Sequence, residues 1–172
     1  MRIDSDYRES VTLSDGREML VRIIRPEDKQ LLVEALERSS LGTVYGRFLT
    51  PRSSFSEEEL RYLTEFDGVN HVALGAEYGG RGVGVARLVR DPSDPATAEI
   101  SFAVDEDFRQ VGLASALLNL LLSAAQERGF QKLTCLAFAD NEAVSRLLLK
   151  AGFTIRDTAQ GTKTYERNLE SG

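Results

Sequence analysis

The stretch Arg109-Gln110-Val111-Gly112-Leu113-Ala114-Ser115 opens an apolar helix without the equipment a helix start ordinarily carries. Most helices begin on a Ser, Thr, Asp or Asn that satisfies the free N–H groups, often with acids in the first turn. Here the N–H groups of Val111 to Ser115 stand bare beside an arginine, and Gly112 lets a ligand approach the backbone closely. That combination suits an anion, pyrophosphate above all. Each such charge interaction contributes about 0.3–1 kcal/mol, so several donors have to act together with Arg109. Upstream, the run AEISFAV puts Glu99, Ser101 and Ala103 on one face of a strand and Ile100, Phe102 and Val104 on the other. Glu99 reads either as part of a solvated outer face or as a partly buried acid whose pKa burial would raise. Phe102 reads as sheet core or as part of a site. His71, the sole histidine, stands just before the strand VALGAE and reads as a strand-edge or surface side chain, with a substrate-side role as the alternative. Cys135, the only cysteine, reads as a buried, inert thiol within KLTCLAF. The pair makes a poor catalytic dyad, and one cysteine leaves no internal disulfide and no thiolate metal cluster. No metal is expected.

The elements that must position these residues follow from period and punctuation. ESVTLSDGREMLVRII reads as a hairpin turning at Ser14-Asp15-Gly16-Arg17. Pro26, Glu27 and Asp28 then start a helix with Leu32, Ala35 and Leu36 at helical spacing. Ser56-Glu57-Glu58-Glu59 has the capping-box form and starts a second helix, which leaves 41–53 as a loop. From His71 three strands joined by short turns form an antiparallel meander, HVALGAEY, GVGVARLVR and AEISFAV, the last two separated by the loop DPSDPAT. The anion-binding helix, about 112–128, comes next, then KLTCLAF, a helix from about Asn141 to Lys150 stopped by Gly152, and two strands near FTIRDT and TKTYERNL. The order is β-β-α-α-β-β-β-α-β-α-β-β.

Bulk properties fit one domain over 1–172, with residues 1–20 as an N-terminal hairpin extension. A 42% hydrophobic, 28% charged chain without an apolar run of about 18 residues contains no membrane span, and its polar start lacks a signal core, which points to the cytoplasm. The net charge of −6 argues against sequence-independent nucleic-acid binding. The cluster Gly79-Gly80-Arg81-Gly82-Val83-Gly84 fails the dinucleotide pattern, because Val85 stands where the third glycine belongs, and it reads as a hairpin turn. An exposed edge strand near 162–169 offers a surface for a homodimer.

The run Arg109-Gln110-Val111-Gly112-Leu113-Ala114 resembles the Arg/Gln-x-x-Gly-x-Gly/Ala acyl-CoA signature of the GNAT family of N-acetyltransferases. Phe102-Ala103-Val104 upstream, Asn141 at the next helix start and Lys150-Ala151-Gly152-Phe153 at its end stand at the family's spacing, and the resemblance covers about residues 18–169. Leu13 to Gly16, Val21 to Asp28, Val44 to Phe48 and Ala98 to Phe102 are similar to the acetyltransferase domain of bacterial Pat-type protein-lysine acetyltransferases. The resemblance implies an α/β (mixed α+β) fold: a mostly antiparallel splayed sheet of about six to seven strands flanked by four helices. It also implies acetyl-CoA as cosubstrate. Phe102, Ala103 and Val104 would hold the pantetheine arm in the splay. Arg109, Gln110 and the N–H groups of Val111, Gly112, Leu113, Ala114 and Ser115 would hold the pyrophosphate, and Asn141 would contact the cofactor near its reactive end.

Acetyl transfer to an amine needs the neutral amine. A lysine amine of pKa about 10.4 is neutral only about one part in a few thousand at pH 7, a deficit of roughly 4–5 kcal/mol. In Pat-type enzymes the general base stands at the position of Glu99. The tyrosine with which many members protonate the leaving thiolate is replaced here by Leu148, and Ser145 is a weak substitute. Tyr45 and Tyr62 are candidate pocket residues, with aromatic core the bland reading of Tyr62. The expected function is acetyl-CoA-dependent acetylation of a primary amine, with a protein lysine favoured as acceptor. The alternatives are a small amine as acceptor, or an acyl-CoA-binding module without catalysis.

Overall fold

Eight runs of strand-period residues pair into one sheet in a computed structural model, which describes residues 2–37 and 55–169. The loop expected over 41–53, with Tyr45, lies outside the described residues. In chain order the elements are β1 (Arg8–Thr12), β2 (Glu18–Ile23), α1 (Lys29–Glu37), α2 (Glu57–Thr64), β3 (His71–Tyr78), β4 (Arg81–Asp91), β5 (Asp94–Val104), α3 (Leu113–Glu127), β6 (Lys132–Phe138), α4 (Glu142–Lys150), β7 (Thr154–Ala159) and β8 (Thr162–Asn168). The sheet order is β1-β2-β3-β4-β5-β6-β8-β7. The expected element order holds, and β1 extends the sheet to eight strands by pairing on β2.

Turn chemistry explains the meander. Gly79 and Gly80 both have positive φ, 61° and 80°, which a two-residue hairpin of right-handed strands requires. The expected loop DPSDPAT is mostly strand instead: β4 runs to Asp91 and β5 restarts at Asp94, leaving Pro92 and Ser93 as the turn. Asp91 accepts the Ser93 N–H at 2.8 Å, and Pro95 is tolerated because the register shifts there.

The two faces of the sheet carry different helices. Ile100, Phe102 and Val104 join Leu133, Cys135, Ala137 and Tyr165 in the core under α3 and α4, which contribute Leu117, Leu121, Val144 and Leu148. α3 begins close to β4 because Gly84 has no side chain: a Cβ there would lie 3.3 Å from both Leu113 and Leu117. On the opposite face Arg87, cross-strand from Ser101, reaches the carbonyl of Leu63 in α2 at 2.9 Å. α2 has the predicted capping box, with Glu59 N–H donating to Ser56 Oγ at 3.1 Å and Ser56 N–H to Glu59 Oε1 at 3.0 Å.

One expectation about the sheet is overturned. The strand at 162–169 is not an edge, because β8 lies between β6 and β7. The edge is β7, all six of whose residues are exposed.

The α1 entry is held by a buried carboxylate. Asp28 takes two hydrogen bonds from Arg22, at 2.7 and 2.8 Å, and one from the Arg25 N–H at 2.7 Å. Burial works against the Asp28 charge, but these donors outweigh it and hold the carboxyl below its usual range. Asp67 at the entry to β3 is likewise held at about 2: its partial desolvation is outweighed by N–H donors from Val69, Asn70 and His71 and by the Asn70 amide. Carboxyls depressed on folding contribute stability above their unfolded pKa of about 3.9, and that stability is lost as pH falls through the folded values. The denaturation midpoint should therefore hold from pH 6 to about pH 4 and drop between pH 4 and pH 2. Asp28→Asn, which leaves Arg22 half-paired, should lower stability by about 3 kcal/mol at pH 6 and flatten that acid limb in denaturant titrations.

Candidate active site

β5 and β6 run parallel and pair only at Thr97–Lys132, Ala98–Leu133 and Glu99–Thr134. Both strands continue beyond that point, to Val104 and to Phe138, without pairing to each other. The sheet is therefore splayed from Glu99 onward. On the α3 and α4 side of the opening lies a groove of about 410 Å³ lined by Phe102, Val104, Arg109, Gln110, Gly112, Ala114 and Ser115. Its far wall is the first part of α4, from Ala143, Val144, Arg146 and Leu147. A larger surface groove, about 790 Å³, lies at the other end of α3 beside Asp4, Arg25, Asp67 and Arg128, and none of the candidate catalytic or cofactor-binding residues lines it.

The anion end of the groove is built by loop 105–112. The Asp105 carboxylate accepts the Asp107 N–H at 3.0 Å and turns the chain, and Phe108 anchors it, 1% exposed. Gln110 then adopts φ 61°, the only positive φ at a non-glycine among the described residues, and Gly112 adopts φ 95°. Such left-handed residues turn successive N–H groups toward one side, the geometry of an anion nest. Gly112 is the N-cap of α3, no side chain caps the helix, and a Cβ on Gly112 would meet nothing within 4 Å. The first turn of α3 thus keeps its orphan N–H groups uncapped by any side chain, and Gly112, Ala114 and Ser115 line the groove. Arg109 lies back along the strand end, its Nε 3.3 Å from the Val104 carbonyl.

Glu99 stands on the opposite face, half-buried, opposite Val89 on one side and Thr134 on the other. Ser101 and Ala103 follow it on that face, both buried. Burial, then the nearby Glu99 charge, pushes the Cys135 thiol up to about 12, which together with its complete burial makes it the inert thiol expected. The surface reading of His71 is overturned. It is 7% exposed, with Arg87 Nη1 3.0 Å from its Nε2 and the rings of Tyr62 and Phe66 each 4.9 Å away. A guanidinium only donates, so Nε2 is the acceptor and the ring proton is on Nδ1. Tyr62, read as core, is 39% exposed and covers that ring from outside.

The remaining site residues divide. Leu113 is fully buried, so it offers backbone only. The Asn141 side chain accepts the Val144 N–H at 3.1 Å as the cap of α4. Neither Asn141 nor the half-buried Ser145 lines the groove. Leu148, at the expected tyrosine position, is 0% exposed and belongs to the core. The wall from α4 was missed, although Ala143, Arg146 and Leu147 stand at i, i+3 and i+4 and so share a helix face. Among the described residues no group of three or more His, Cys, Asp or Glu side chains could hold a metal ion, and no helix is long and apolar enough to cross a membrane.

Residues 38–153 match the model of the acetyltransferase (GNAT) family. An acetyltransferase of Pseudomonas aeruginosa is 29% identical over 161 residues, covering 91% of this chain and 86% of its own. The acetyltransferase Pat of Mycolicibacterium smegmatis is 27% identical over 144 residues, 83% of this chain but 43% of that relative. The crystal structure of the GNAT domain of S. lividans PAT superposes with a TM-score of 0.82 at 27% identity, covering 94% of this chain and 97% of that one.

Proposed function

Because the chain belongs to the GNAT acetyltransferase family, we propose that it acetylates a primary amine, a protein lysine side chain being the favoured acceptor, with Glu99 as general base. The family uses acetyl-CoA, and the chain is an acetyl-CoA-dependent acetyltransferase. When bound, acetyl-CoA supplies the acetyl group activated as a thioester. The groove suits it chemically: apolar Phe102, Val104, Ala114 and Leu147 for the pantetheine arm, and Arg109, Arg146 and the open α3 N-terminus for the phosphates. In this reading residues 1–172 act as one acetyltransferase domain.

The observation that carries the reading is the end of the β5–β6 pairing at Glu99. A carboxylate at the crotch of the splay lies where an arm held between the strands ends. The groove opens on one face and Glu99 on the other, so acyl donor and amine approach from opposite sides of the sheet. Glu99 takes a proton from the incoming ammonium, the free amine nitrogen bonds to the acetyl carbon, the carbon–sulfur bond breaks, and the nitrogen gives its second proton to water as the amide forms. No phenol stands at Leu148, so the departing thiolate takes its proton from water. Glu99 thus offsets part of the roughly 4–5 kcal/mol deficit of free amine.

The lysine acceptor is supported by the similarity to Pat and to the PAT GNAT domain. The test is acetyl-CoA binding by calorimetry followed by thiol release with a panel of lysine-containing proteins and small amines. Acceptor-dependent release with a folded protein at micromolar concentration supports the reading. Saturation by a free amine alone would replace the protein acceptor with a small one, and absence of binding would sink the reading as a whole.

A further inference from the structure

We propose that the turn of the N-terminal hairpin belongs to the cofactor site, with Ser14 and Arg17 as positioning residues that aim the N–H groups of loop 105–112 at the pyrophosphate. The proposal rests on the acetyl-CoA reading above. Ser14 donates twice to one acceptor, its N–H to the Val111 carbonyl at 3.0 Å and its Oγ to the same oxygen at 3.1 Å. The Val111 carbonyl and the Gly112 N–H belong to one trans peptide unit and point in opposite directions. Holding the carbonyl against the hairpin therefore turns the Gly112 N–H to the other side of the peptide unit, away from the hairpin. It also engages a carbonyl that a further helical turn would bond to Ser115, and so keeps the Ser115 N–H an orphan donor; α3 accordingly starts one residue later, with the Ala116 N–H on the Gly112 carbonyl at 3.0 Å.

Arg17 fixes the other end of the loop. Its Nη2 donates to the Asp107 carbonyl at 2.8 Å, and its guanidinium sits 4.0 Å from the centre of the Phe108 ring. Asp15 holds that guanidinium in place, accepting from Arg17 Nε at 2.7 Å and from the Arg17 N–H at 3.1 Å. Phe108 packs edge-on against Tyr78, with ring centres 5.4 Å apart. The hairpin thus grips loop 105–112 before and after Gln110, whose left-handed backbone is unfavourable on its own. Two anchors flanking one strained residue hold a conformation that the loop would not keep alone.

The experiment compares two ligands on the full chain, acetyl-CoA and S-acetylpantetheine, which lacks the pyrophosphate. The double variant Ser14→Ala/Arg17→Gln should raise Kd and KM for acetyl-CoA about tenfold, the loss of two or three hydrogen bonds, while kcat at saturation and the acceptor KM move less than about twofold. Its affinity for S-acetylpantetheine should not change. Ser14→Thr, which keeps both donors, should bind acetyl-CoA like the wild type. Equal acetyl-CoA affinity in wild type and double variant, or equal losses for the two ligands, would overturn the proposal. Should the double variant not fold, Ser14→Ala alone carries the test, with an expected loss of about threefold confined to acetyl-CoA. A wild-type protein that bound no acetyl-CoA would instead overturn the reading on which the proposal rests.

Discussion

Glu99→Gln is expected to lower kcat about 10²–10³-fold at pH 7 while leaving the Kd for acetyl-CoA within about twofold. The substitution keeps shape and hydrogen-bonding capacity but removes the proton acceptor. Glu99 is on the face away from the groove, so the cofactor end should not register the change. The pH profile separates a lost base from a distorted site. Without a base, the variant's rate should follow the fraction of free amine and climb about tenfold per pH unit toward the lysine pKa of about 10.4. The wild-type profile should level off at lower pH. A variant slow at every pH by one factor would point to displaced substrate, and an unchanged kcat would remove Glu99 from the mechanism.

The second large effect is at Gly112, measured as acetyl-CoA affinity. Gly112→Val places a β-branched residue at φ 95°, a conformation that costs an L-residue about 1–2 kcal/mol. The added methyls branch from open space, since a Cβ built there meets nothing within 4 Å beyond its own chain neighbours. They fill the approach to the orphan N–H groups. Kd for acetyl-CoA should rise about 10–100-fold, beyond what backbone strain alone would do to the fold. Gly112→Asn isolates the two contributions: asparagine tolerates the left-handed region, so stability should largely return while binding stays weak. If Asn restored both, the space above Gly112 would not be the ligand's.

Much of this was readable from local pattern. Period and punctuation marked all eight strands, Ser56 and Glu59 marked the cap of α2, and the groove residues from Phe102 to Ser115 lie on one strand, one loop and one helix start that follow each other in the chain. What was not readable depends on pairing between distant segments. Periodicity identifies β8 as a strand but is silent on whether β7 or β8 lies against β6. His71 looks like a surface residue until Arg87, sixteen positions on, supplies a buried donor to its ring. Pro95 suggested a loop because the register shift that accommodates it is a property of two strands together. The hairpin brace joins residues 97 positions apart and leaves no local trace.

The short β5–β6 seam has a mechanical consequence. Every strand on one side of it ends by residue 104 and every strand on the other starts at or after residue 132, so the sheet is two leaves, each a continuous stretch of chain, and α3 is the spine between them. Three rungs close the book. A ligand lying between the leaves would add the missing rungs, and amide hydrogen exchange should then slow in both leaves at once, at sites far from any contact with it. Each turnover would release that clasp and each new donor would restore it.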